Sequence, residues 1–166
     1  MKRIVVSCFV LACIVGMTGV TRAAPGFNYG IDAAVTIPVS DLADRTGMGV
    51  GGFISAAFTG VPLFNITARV GYLWGLEEKE NALQQIPVLF GIQYFFVPVV
   101  YAGAEFGPVF AKFKQDDSDE WQKDYGGSIG AGVKMGPLDA RGAFFMSDLK
   151  HFKENLSFLL SVGYRF

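Results

Sequence analysis

From residue 28 to its end, the chain places apolar residues at every second position in eight segments of about ten residues each. In an extended chain successive side chains point to opposite sides, so each segment has two chemically different faces. The last segment is the fullest case. Leu156, Phe158, Leu160, Val162, Tyr164 and Phe166 share one face, and Asn155, Ser157, Leu159, Ser161, Gly163 and Arg165 share the other. The same alternation runs through residues 28–37, 48–58, 64–74, 85–94, 100–110, 128–135 and 138–146. A face carrying a continuous row of large apolar side chains is costly in water. Ten tilted residues are enough to cross the hydrocarbon of a bilayer. An even number of antiparallel strands can close on itself and leave no edge. The expected fold is therefore all-β: an eight-stranded antiparallel up-and-down transmembrane β-barrel, apolar face outward, after an N-terminal signal peptide.

Composition fits a chain of this kind and excludes others. Charged residues are 17% of the 166 positions, against about 25% in an ordinary globular domain. Aromatics are 14%, and there are 21 glycines. That much apolar and aromatic content excludes disorder. A net charge of −1 with a pI near 5.8 supplies no field for nucleic acid. Connections alternate in length. Thr59-Gly60-Val61-Pro62, Phe96-Val97-Pro98 and Gly136-Pro137 read as tight turns. Pro38 to Gly47, Gly75 to Ala82, Phe113 to Asp124 and Ser147 to Glu154 read as longer loops holding most of the charge. Short turns at one end and long polar loops at the other are the asymmetry of an outer-membrane barrel. Within the first long loop, Asp41 to Asp44 around Leu42 could form one helical turn capped by Ser40.

The N-terminus reads as an address. Lys2 and Arg3 precede an apolar run from Ile4, and Thr21-Arg22-Ala23 offers a cleavage site before Ala24. Residues 1–23 are assigned to a signal peptide and 24–166 to the barrel domain. A retained anchor is the competing reading, and Arg22, not ideal beside a cleavage site, keeps it open. Val10-Leu11-Ala12-Cys13 resembles a lipoprotein cleavage box, but Ile14 and Val15 carry the apolar run past it. Both cysteines, Cys8 and Cys13, lie in this leader. The expected mature chain therefore has no disulfide, thiolate nucleophile or Cys metal site. Cleavage would remove three of the 14 bases and none of the 15 acids, leaving a net charge of −4.

With these features and the ending Val162-Gly163-Tyr164-Arg165-Phe166, the chain resembles the small eight-stranded bacterial outer-membrane β-barrels, similar to the membrane domain of OmpA and to OmpX, over residues 27–166. The resemblance implies export through the periplasm to the bacterial outer membrane. It also implies a monomer surrounded by outer-membrane lipid and lipopolysaccharide. Val162, Tyr164 and Phe166 would then be the signal read by the barrel-assembly machinery.

The phase of the alternation sends Asp32, Arg69, Glu105, Lys134, Asp139 and Arg141 inward, three acids and three bases. Charges shut in a low-dielectric interior should pair. With Phe53, Leu89 and Tyr101 also inward, an eight-stranded barrel should be filled by a polar plug. Inward glycines should make room for neighbouring aromatic and Arg side chains. Pro87 and Pro108 fall inside expected strands, where proline removes a ladder hydrogen bond, and mark an expected bulge at the long-loop rim. Tyr29, Tyr72, Trp74, Tyr94, Tyr164 and Phe166 fall near strand ends, as interfacial girdles do.

Candidate chemistry is sparse. The one His, His151, has Ser147, Asp148, Glu154 and Ser157 near it in sequence, the residue types of a hydrolytic triad without spacing that enforces one. Asp116-Asp117-Ser118-Asp119-Glu120 lacks the Gly and ligand pattern of an EF-hand loop. The expectation is a non-enzymatic barrel with no cofactor and no metal, a closed ion-paired lumen and four exposed loops serving envelope structure or surface interaction. Two alternatives stand beside it: a lipid-modifying enzyme similar to lipid A deacylases, and a soluble lipocalin-like barrel with the faces inverted.

Overall fold

The computed structural model describes residues 26–39, 41–76, 83–113, 121–151 and 154–166. The expected signal peptide with Cys13, the cap residue Ser40 and the acidic run at 116–120 lie outside the described residues.

The strands are β1 (Phe27–Pro38), β2 (Gly49–Val61), β3 (Phe64–Gly75), β4 (Leu83–Val97), β5 (Val100–Phe113), β6 (Gln122–Met135), β7 (Leu138–Met146) and β8 (Leu156–Arg165), with one short helix, α1 (Asp41–Arg45), between β1 and β2. Each strand pairs antiparallel with the next in sequence, and β8 returns to β1, so the sheet is a closed barrel. Ala33 opposite Val162 and Val35 opposite Leu160 set the register of the closing seam.

The faces are those the alternation requires. Ile31, Ile54, Ile66, Phe90, Ile129 and Val162 are exposed on the outside, while Phe53, Leu89, Phe145 and Leu159 are buried inside. Side-chain character therefore decides which way each strand turns, and a one-residue slip would invert the whole face.

The ends differ from expectation in three places. The first tight turn sits at Pro62-Leu63, because Val61 still pairs with Phe64, and Leu63 takes a φ of 66°. Proline followed by a positive φ is a type II arrangement that favours glycine at Leu63's position. In the last turn Gly136 takes φ 59°, so glycine does stand where the backbone requires it. On the loop side β5 and β6 run further than expected, with Phe110 opposite Lys123 and Ala111 opposite Gln122. Polar side chains do not interrupt a ladder built from backbone groups. The third difference concerns the prolines. Register is kept from Pro87↔Val109 to Phe90↔Phe106 with the two rungs between them missing, and the register shifts lie instead at Phe58/Val61 and Phe95/Val97, near the short turns. The expected bulged rim at Pro87 and Pro108 is thus corrected. Each proline removes a donor without adding a residue, so pairing lapses while the count of residues stays in step.

Inside, the lumen has two layers. Ala34, Phe53, Leu73, Leu89, Val109, Phe145 and Leu159 form a continuous apolar cluster toward the long loops. Leu42 of α1 is buried over that end, where Thr46 N–H and hydroxyl both donate to the Leu42 carbonyl, at 2.9 and 3.2 Å. The charged residues lie below, toward the short turns. The plug is therefore half apolar, not polar throughout as the sequence suggested. Glycines admit the bulk, as expected. A Cβ at Gly71 would strike the Phe53 ring, one at Gly132 the Tyr101 ring, and one at Gly163 the Asp32 carboxylate.

Candidate functional site

The ion pairs of the lower lumen come from five strands. Asp32 projects from β1, Arg69 from β3, Glu105 from β5, Asp139 and Arg141 from β7, and Arg165 from β8. Arg69 reaches Asp32 at 3.5 Å and Glu105 at 3.4 Å, and Arg141 donates to Glu105 at 2.6 Å. Ser128 on β6 donates to Glu105 at 3.0 Å and accepts from Arg141 at 2.9 Å. Arg165 bridges Asp32 at 2.7 Å and Asp139 at 2.9 Å. The Tyr101 hydroxyl donates to Asp139 at 2.7 Å. Asp32 and Glu105 are 1% exposed at the side chain, deep enough that a lone charge there would be very costly. The guanidinium of Arg69 also lies 4.2 Å from the centre of the Phe53 ring. That contact joins the ionic layer to the apolar one above it.

Five of the six expected lumen charges thus meet in one network. The sixth, Lys134, is half-buried opposite Asp139 in the β6–β7 register. Among the described residues it makes no ion pair within 4 Å. The even balance of acids and bases is corrected by Arg165, which makes four bases against three acids. Its inward phase was readable from the β8 alternation. Its place at the chain end, beside Phe166, hid its reach to β1 and β7. Tyr101 was readable as interior bulk, but its hydrogen bond to Asp139 depends on how far β5 and β7 are staggered.

On the outside, rings gather in two belts. Near the short turns Phe64 meets Tyr94 at 5.0 Å, Tyr94 meets Phe96 at 5.0 Å, and Tyr164 meets Phe166 at 5.4 Å. Near the loops Tyr72, Trp74 and Trp121 are exposed, and Phe106 stacks on Tyr125 at 5.8 Å. Between the belts the outward strand positions carry no charge. Lys112 and Lys123, diagonal neighbours on β5 and β6, are the only outward-facing charges on the described strands.

The loop histidine has an acid partner. His151 Nδ1 lies 2.7 Å from Asp148, whose other oxygen accepts the Lys150 N–H at 2.8 Å. The hydrogen bond to Asp148, and then its charge, push the His151 pKa up. Slight burial pushes the Asp148 carboxyl up, but the hydrogen bonds from His151 and Lys150 outweigh it and hold the carboxyl below its usual range. No Ser hydroxyl among the described residues reaches His151. Ser157 donates instead to the Phe145 carbonyl at 3.3 Å.

No protein-family model matches the chain, and no curated protein sequence matches it. Solved structures do match. Neisserial surface protein A superposes with a TM-score of 0.66 at 22% identity, over 87% of this chain and 98% of that one. Ail, the attachment invasion locus protein of Yersinia pestis, in complex with the heparin analogue sucrose octasulfate, gives 0.60 at 15% identity, over 86% and 100%. The N-terminal β-barrel domain of Pseudomonas aeruginosa OprF gives 0.52 at 17%, over 84% and 97%. At these identities the likeness is one of fold, and the chain is an eight-stranded up-and-down β-barrel of the architecture these small outer-membrane proteins share.

Proposed function

We propose that the chain is a non-enzymatic integral protein of the bacterial outer membrane, whose lumen is closed and whose long loops face outside for envelope structure or surface interaction. The observation that carries this reading is the inversion of polarity: an apolar band outside between two aromatic belts, and an ion-paired interior. Such a band is stable only against lipid, where a closed sheet satisfies its own backbone groups. Lys112 and Lys123 support the orientation. Both face outward at the loop end, where the phosphates of lipopolysaccharide would lie. Val162 and Tyr164 on β8 and Phe166 just after it are exposed on the outside, accessible to the assembly machinery that would insert the barrel as a monomer. A lipocalin-like carrier needs the opposite faces. A lipid-modifying enzyme needs a hydroxyl on His151, and Ser157 is engaged elsewhere.

The test is fractionation of the expressed chain, with electrophoresis before and after boiling. An integral barrel stays with the outer membrane through a salt wash and changes mobility on boiling. Release into the soluble fraction without detergent would overturn the assignment.

A further inference from the structure

The ionic layer leaves a small recess, part of it open to solvent. The charged side chains lining it are Arg69, Arg141, Lys134 and Arg165 against the single carboxylate of Asp139. Asp139 is already engaged by Tyr101 and Arg165. A second observation points the same way. Three buried polar atoms have no partner: Thr67 Oγ1, Arg69 Nε and Arg141 Nε, and all three residues line this recess. Buried polar groups are almost always satisfied. Here two orphans are N–H donors and the third is a hydroxyl able to donate. The bases also exceed the acids by one, with Lys134 the cation that makes no ion pair within 4 Å among the described residues. Water could accept the orphan protons but would leave the excess charge standing. An anion does both, and guanidinium and ammonium donors are the groups that bind oxyanions.

We propose that this recess is a binding site for a small inorganic anion, phosphate among them, entering from the short-turn end. Arg69 Nε, Arg141 Nε and the Thr67 hydroxyl donate to the anion, and Lys134 supplies the compensating charge. The inference rests on the barrel fold and not on the membrane in which the barrel resides.

The experiment follows the arginine Nε–H signals by nitrogen-15 NMR with the chain folded in n-dodecyl-β-maltoside micelles. Inorganic phosphate is titrated in at constant ionic strength. The Arg69 and Arg141 signals should shift and saturate in the millimolar range. Lys134→Met should weaken binding on the order of tenfold, the equivalent of about 1.4 kcal/mol. Lys123→Met on the outer face should leave it unchanged. Unboiled gel mobility checks that each variant has folded, and Thr67→Val carries the same test should Lys134→Met fail to fold. Shifts that never saturate, or that saturate identically in the recess variants, would mean that water alone fills the recess and would overturn the proposal.

Discussion

Glu105 ties together three strands besides its own, accepting from Arg69 on β3, Ser128 on β6 and Arg141 on β7. Glu105→Gln keeps its shape and removes its charge, which leaves the buried Arg141 guanidinium without its counter-ion and Arg69 with Asp32 alone. Breaking a buried pair in this way costs about 3–5 kcal/mol, and the loss should appear as a lower urea midpoint for the barrel in micelles. His151 and Asp148 in the last loop behave differently, because both can be reached by solvent. The His151 pKa is raised, so its contribution is complete below the unfolded value near 6.5 and fades as pH rises through the higher folded value. The Asp148 pKa is lowered, so its contribution is present above its unfolded value and fades as pH falls through the lower folded one. The pair therefore holds the loop best in mildly acidic solution. Asp148→Asn should bring the His151 titration, followed by its ring proton signals, back down toward the ordinary value.

At the scale of the strand, outward and inward neighbours should respond in opposite ways to the same chemistry. Leu160 faces out near the middle of β8, opposite Val35 and Gly142, while Ser161 beside it faces in. Leu160→Arg places a charge against hydrocarbon, at about 2–4 kcal/mol near the midplane. Ser161→Arg adds volume and charge inside the lumen but leaves the lipid face intact. Unfolding in phospholipid vesicles should show a penalty for Leu160→Arg that shrinks when the same barrel is held in micelles. A penalty for Ser161→Arg should not depend on the surroundings. The strands were legible in the chain because alternation is a local property. Their turns were less so. Thr59 and Gly60 look like turn residues yet lie in β2, because the cross-strand pair Val61–Phe64 holds the turn one step later.

For the molecule as a whole, the stacked layers decide whether anything passes. The apolar cluster under Leu42 crosses the loop half, and the ion pairs cross the other. Planar-bilayer recording should find no steady conductance. Replacing Phe53 and Phe145 together with Ala removes the two phenyl rings from the apolar layer and should raise conductance well above that of Lys134→Met, which only alters the mouth. If the mouth variant conducts as well as the double variant, the ionic layer and not the apolar one is the barrier.

The sequence by itself determined the strand number, the two faces and the end at which the loops gather, because a period of two and the placement of turn residues are written along a single stretch of chain. It also determined that Asp32, Arg69, Glu105, Lys134, Asp139 and Arg141 face inward. Only the tertiary structure decided the partners: Arg165 bridging Asp32 across the seam, Tyr101 holding Asp139, and Lys134 standing apart. The same is true of the division of the lumen into an apolar and an ionic half. Which inward residues share a level depends on strand tilt and stagger around the closed ring, and that is fixed only when all eight strands have met.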